Sequence, residues 1–115
     1  MIHHESQLQQ NCIYWFKLQY PKLSKLLFAI PNGSKRDKKT AAILKAEGVV
    51  SGVSDLILLV PCKGHSSLCI EMKHGKGRQT ENQKEWQKSA ELAGNKYIIC
   101  RTVAEFMDAV NEYLI

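Results

Sequence analysis

"VSDLILLVPCKGHSSLCIEMK", residues 53–73, decides the fold. Two apolar runs, 56–60 and 68–73, flank Pro61 and a polar stretch, "KGHSS". A continuous apolar run this short, bounded by turn residues, reads as a buried central strand. An antiparallel hairpin around the 61–67 loop is the simplest pairing. Near-symmetric register sets Val60 opposite Leu68 and Asp55 opposite Lys73, to within a residue. Along the second strand, Leu68, Ile70 and Met72 face one way and Cys69, Glu71 and Lys73 the other. Glu71 and Lys73 therefore lie side by side. A carboxylate and an ammonium so placed fit either a solvated ion pair or half of a metal site.

Working outward, residues 5–20 carry Leu8, Cys12, Ile13, Trp15 and Phe16 as an apolar helical stripe, ended by Pro21. "LLFAI" (26–30) reads as a strand stopped by "PNGS". Residues 35–48 read as a second helix, with Ala41, Ile43, Leu44 and Ala46 toward the core and Gly48 as its stop. Thr80 and Gln83 form a capping-box pattern at the head of a helix over 80–94, with Trp86, Ala90 and Ala93 as its stripe and Gly94 at its end. "KYIIC" (96–100) is a strand. Residues 102–115 form a closing helix with Val103, Phe106, Met107, Val110 and Leu114 inward. The order α-β-α-β-β-α-β-α predicts an α/β (α+β) domain, a four-stranded mixed sheet flanked by helices.

The chain has 115 residues, which suits one domain over 1–115. No apolar run approaches a membrane span, and the N-terminus lacks the layout of a signal peptide. The expectation is a cytoplasmic protein with no membrane partner and no small-molecule cofactor. The four cysteines form no CxxC pair and sit mostly in apolar runs, where cysteine behaves as a small hydrophobe. "CKGH" (62–65) has metal-like spacing, but no second pair completes a tetrahedral site. Lys plus Arg total 16 against 11 Asp plus Glu, a net charge of +5. The excess gathers in "SKRDKK" (34–39) and "KHGKGR" (73–78), which fit solvated loops or phosphate contacts.

The hairpin brings Asp55 beside Glu71 and Lys73 at one end of the sheet. Two adjacent carboxylates repel unless a cation lies between them, and hard oxygen ligands suit Mg2+ or Mn2+. Such a site supports phosphodiester hydrolysis, with a lysine to orient or deprotonate the attacking water.

"GVSDLILLV" followed by "CIEMK" resembles the bipartite Asp…Glu-x-Lys motif of the PD-(D/E)XK nuclease superfamily, with Ser54 where proline is common. "PNGSKR", "GVVSGVSDL", "EMKHGKGRQTENQ" and the early Glu5 together resemble the VRR-NUC (virus-type replication-repair nuclease) family, from Glu5 to the strand at 96–100. The resemblance implies a restriction-endonuclease-like fold. It implies that Asp55 and Glu71 bind a metal directly, with the Met72 carbonyl as a third ligand and Glu5 reaching it through water. Lys73 serves the attacking water, and Gln83 faces the site; the alternative for Gln83 is a helix cap alone, and the two roles can coexist. Arg36 binds phosphate, and Asn32, Lys76 and Arg78 join it as DNA-binding residues. His3, His4 and His74 have no assigned role.

By the same resemblance, the chain is expected to be a standalone phage or bacterial nuclease, working in a bacterial or phage-infected cell. The specific expectation is a Mg2+-dependent (or Mn2+-dependent) structure-selective DNA endonuclease. A homodimer would supply the paired cuts of a Holliday-junction (four-way junction) resolvase, with Trp15, Phe16, Tyr113 and Ile115, read as more apolar surface than one small core buries, as candidates for its interface. The alternatives are a nicking, flap or restriction-like endonuclease, or a non-catalytic nucleic-acid-binding domain.

Overall fold

Strand pairing builds the sheet outward from the two apolar runs. The computed structural model describes residues 4–31 and 37–115. In chain order its elements are helix α1 (His4–Gln19), a 3-10 turn (Pro21–Leu26), strand β1 (Leu27–Ala29), helix α2 (Lys38–Ala46), strands β2 (Leu56–Leu58) and β3 (Leu68–Met72), helix α3 (Glu81–Leu92), strand β4 (Lys96–Cys100) and helix α4 (Val103–Leu114). The strands lie in the order β1-β2-β3-β4. The first two pairings are antiparallel and β3–β4 is parallel. A parallel step needs a crossover, and α3 supplies it. This is the four-stranded mixed sheet with flanking helices that the sequence predicts.

Alternation along the strands sorts the core. Leu56, Leu58, Leu68, Ile70, Met72 and Cys100 pack against Cys12 and Phe16 of α1 and Phe106, Val110 and Tyr113 of α4. Each large side chain buried this way contributes roughly 1.5–3 kcal/mol. On the opposite face α3 lies over β3 and β4, burying Ala90 and setting Trp86 against Tyr97. All five residues of β3 are consequently buried. All four cysteines are free thiols, and Cys12, Cys69 and Cys100 are buried.

Three expectations need correction. Leu58, not Val60, lies opposite Leu68, so the hairpin is offset by two residues from symmetric pairing. The connection is not a plain loop. Cys62 and His65 exchange backbone hydrogen bonds of 3.0 and 2.9 Å, closing a small turn through Lys63 and Gly64, both at positive φ. The chain beyond β2 turns toward β1 instead, where the Leu59 N–H donates to the Leu26 carbonyl. The offset is even, so every side chain keeps its expected face.

The second correction is α2, which buries none of its residues; Ile43 is half exposed. Its apolar stripe joins no core: α1 and α4 fill one face of the sheet, and α3 covers β3 and β4 on the other. The helix begins at Lys38, where Asp37 caps it by accepting from the Thr40 N–H at 2.7 Å. Thirdly, Phe16 and Tyr113, read from the sequence as surplus apolar groups for an interface, are core residues. The Tyr113 hydroxyl donates to the Val60 carbonyl at 2.6 Å. Ile115, read in the same way, is exposed, as are Phe28, Leu59 and Leu92.

The segment before β2 is pressed onto the first turn of α3. Gly52 sits at φ +91°, and a Cβ there would fall 2.4 Å from the Asn82 carbonyl oxygen. Ser51 Oγ accepts from Asn82 Nδ2 at 2.9 Å. Both the dihedral and the clash exclude a side chain at position 52. Gly52→Ala should destabilise the fold by about 2–4 kcal/mol in urea or thermal unfolding; a midpoint equal to wild type would show that the contact yields freely.

Candidate active site

Asp55 stands one residue ahead of β2 and is fixed from both neighbouring strands. Its backbone carbonyl accepts from the Ile30 N–H at 2.9 Å. Its carboxylate Oδ2 accepts from the Met72 N–H at 2.7 Å. Ser54, fully buried, donates its hydroxyl to the Leu56 carbonyl at 3.0 Å, so this side chain shapes the entry to the strand. The β2–β3 register continued by one residue sets Asp55 opposite Glu71 rather than Lys73.

Glu71 lies on the α3 face of β3 and is 2% exposed. Its Oε2 accepts from Gln83 Nε2 at 3.1 Å and lies 3.8 Å from Lys73 Nζ. Its Oε1 is buried and has no hydrogen-bond partner among the described residues. Burial, then the charge of Asp55 and the hydrogen bond that a protonated Glu71 shares with it, push the Glu71 carboxyl up to about 8, against the opposing pull of Lys73. Glu5, in the first turn of α1, adds to the upward push, so α1 does bring this carboxylate toward the site.

Gln83 acts at both ends of its amide. Its Oε1 accepts from the Thr80 N–H at 2.9 Å and its Nε2 donates to Glu71, while Thr80 Oγ1 accepts from the Gln83 N–H at 3.2 Å. The capping and site-facing readings of Gln83 are therefore both realised. Lys76 and Arg78 stand exposed in the loop between β3 and α3. Asn32, Arg36 and His3 lie outside the described residues.

Three contributors escaped the sequence reading. The rings of His4 and His74 stack, with centroids 4.4 Å apart and planes at 11°, and so join the head of α1 to the residue after Lys73. Arg101 reaches the same loop from the end of β4. Tyr97, buried behind Glu71, accepts from Gln79 Nε2 at 3.2 Å. Its hydroxyl is pushed up to about 12, first by burial and further by Glu71 and Asp55. Each of these contacts spans elements whose relative placement no local pattern encodes.

A buried carboxylate oxygen without a partner, beside a second carboxylate, is the place a cation would satisfy. The donor set fits a hard divalent ion that retains several waters. Asp55 and Glu71 are the side chains able to hold it. Among the described residues no group of three or more His, Cys, Asp or Glu side chains could hold an ion alone.

Residues 3–104 match the family model of the VRR-NUC domain. The chain belongs to the VRR-NUC family. It is therefore a nuclease of the PD-(D/E)XK type. A solved structure of a VRR-NUC domain protein shares the fold with a TM-score of 0.85, over 99% of this chain and 90% of that one, at 24% identity. No curated protein matches the chain. Among the described residues, no helix is long and apolar enough to cross a membrane.

The strained carboxylate gives a test that needs no substrate. The Glu71 pKa in the fold, about 8, lies above its ordinary 4.5. The folded state thus holds a proton that the unfolded state loses first, and stability falls as pH rises between these values. In EDTA, Glu71→Gln should match wild type near the lower pH and gain about 2–3 kcal/mol over it at and above the higher one. Equal melting curves across that range would contradict the burial of a charge here.

Proposed function

We propose that this VRR-NUC domain is a divalent-metal-dependent DNA endonuclease whose catalytic unit spans residues 1–115. The observation that carries the reading is the buried Oε1 of Glu71, without a partner among the described residues, on a carboxylate beside Asp55 whose other oxygen lies 3.8 Å from Lys73 Nζ. Asp55 and Glu71 would hold Mg2+ or Mn2+, joined by the Met72 carbonyl, with Glu5 acting through water. When bound, such an ion polarises a phosphoryl oxygen and acidifies water. Lys73, at most one-tenth exposed, orients the attacking water and stabilises negative charge as the P–O bond breaks. Gln83 keeps Glu71 in place through the 3.1 Å hydrogen bond. Lys76 and Arg78, together with Asn32 and Arg36, contact the DNA backbone and set affinity without reading sequence.

The substrate we infer is branched DNA, a four-way junction in particular, cut by a homodimer. One chain offers one such site, and resolving a junction needs paired cuts at fixed separation. The surface available for pairing is the half of the sheet that α3 leaves open. Phe28 and Leu59 are 37% and 54% exposed there, and alternation sets them opposite the core-facing Leu27 and Leu58.

Cleavage of DNA in Mg2+ or Mn2+ should fall by at least about 100-fold in Asp55→Ala, Glu71→Ala and Lys73→Ala. Calorimetry should find Mn2+ binding kept in the lysine variant and lost in the other two. Activity that survives EDTA or Asp55→Ala would remove the assignment.

In light scattering the protein should have the mass of a dimer, and it should cut a four-way junction faster than linear duplex of the same sequence. A monomer with equal rates on both would leave a nuclease of broader substrate choice.

A further inference from the structure

The loop between β3 and α3 begins beside Lys73 and carries Lys76 and Arg78. Its glycines at 75 and 77 permit many conformations, and Gly75 adopts φ +58°. A loop this permissive would hold its two cations at no fixed spacing. Yet it is tied on two sides. The parallel register pairs Met72 with Cys100, which carries Arg101 up beside Lys73. Arg101 Nη1 donates to the Gly75 carbonyl at 2.9 Å and the Gly77 carbonyl at 2.8 Å, using both hydrogens of that nitrogen. The Arg101 N–H donates to Glu105 Oε1 at 2.7 Å, so its backbone is itself anchored to the first turn of α4. Within the loop the Gly77 N–H donates to the His74 carbonyl at 3.2 Å. On the far side, the His74 ring rests on that of His4.

We propose that Arg101 is a positioning residue whose planar fork holds the 74–78 loop in one shape, so that Lys76 and Arg78 meet DNA phosphates at a preset spacing without Arg101 touching the DNA. This rests on the nuclease reading above. The alternative use of an arginine at this place is as one more phosphate contact, and charge separates the two. Lysine keeps the charge and has donors enough, but its side chain is one bond shorter and lacks the rigid planar group that aims Nη1 at both carbonyls.

The test compares wild type with Arg101→Lys and Arg101→Gln, each shown to be folded by circular dichroism. Brief trypsin digestion without DNA should cut after Lys76 and Arg78 about tenfold faster in both variants. DNA affinity should drop severalfold in both, with a shallower salt dependence even in Arg101→Lys, where no charge is lost. In a background with Lys76 and Arg78 replaced by Ala, Arg101→Lys should weaken binding no further. Wild-type tryptic resistance in Arg101→Lys, or wild-type affinity and salt slope in that variant, would overturn the proposal. So would additive loss in the Ala background. Wild-type protein that binds no DNA would remove the nuclease reading and this one together. Wild type that binds while Arg101→Lys equals it removes this one alone.

Discussion

One hydrogen bond, from the Met72 N–H to the carboxylate of Asp55, joins the entry of β2 to the exit of β3. At this end of the sheet the Lys73 N–H is taken by the Cys100 carbonyl of β4. The neighbouring Met72 N–H therefore points to the other side, beyond the last paired residue of β2. There a side-chain oxygen takes the place of a backbone carbonyl. The arrangement completes the ladder and holds one carboxylate beside a second, which repulsion alone would drive apart. The faces of β3, the position of α3 and the approach of α1 all matter to the site only because this junction is fixed.

The acidic pair works against the fold that holds it. Glu71 is buried, one of its oxygens is unpartnered, and its neighbours include Asp55 and Glu5. A core optimised for stability would place a neutral group there. Lys73 and the Gln83 amide offset part of that strain through Oε2 and leave Oε1 unsatisfied. Proteins tolerate such local conflict where chemistry requires it.

Much of this was legible in the residues. Periodicity gives α1, α3, α4 and β4 nearly to the residue, because each has a cap, a stop or a clean apolar stripe. The faces of β3 follow from alternation alone, and an even register offset cannot disturb them. The Asp…Glu-x-Lys spacing gives the acidic pair and its lysine. The offset itself was hidden, since it depends on the Cys62–His65 turn and on the pull of β1. Nor can periodicity say whether a stripe finds a partner. α2 has an apolar stripe as plain as those of its neighbours, yet it buries none of its residues. Conversely, Tyr113 carries a hydroxyl that suggests a surface, but Val60 accepts it inside. Arg101 and the His4–His74 stack depend on which strand ends come together, a property of topology rather than of local pattern.

The two-ended role of Gln83 ties the helix terminus to the acidic pair. One amide serves both the backbone of Thr80 and the carboxylate of Glu71. The ends of helices open and close on timescales far shorter than global unfolding. Fraying of the first turn of α3 would take the neutral donor of Glu71 away together with the cap, so the stability of a helix end and the placement of a buried carboxylate rest on one side chain.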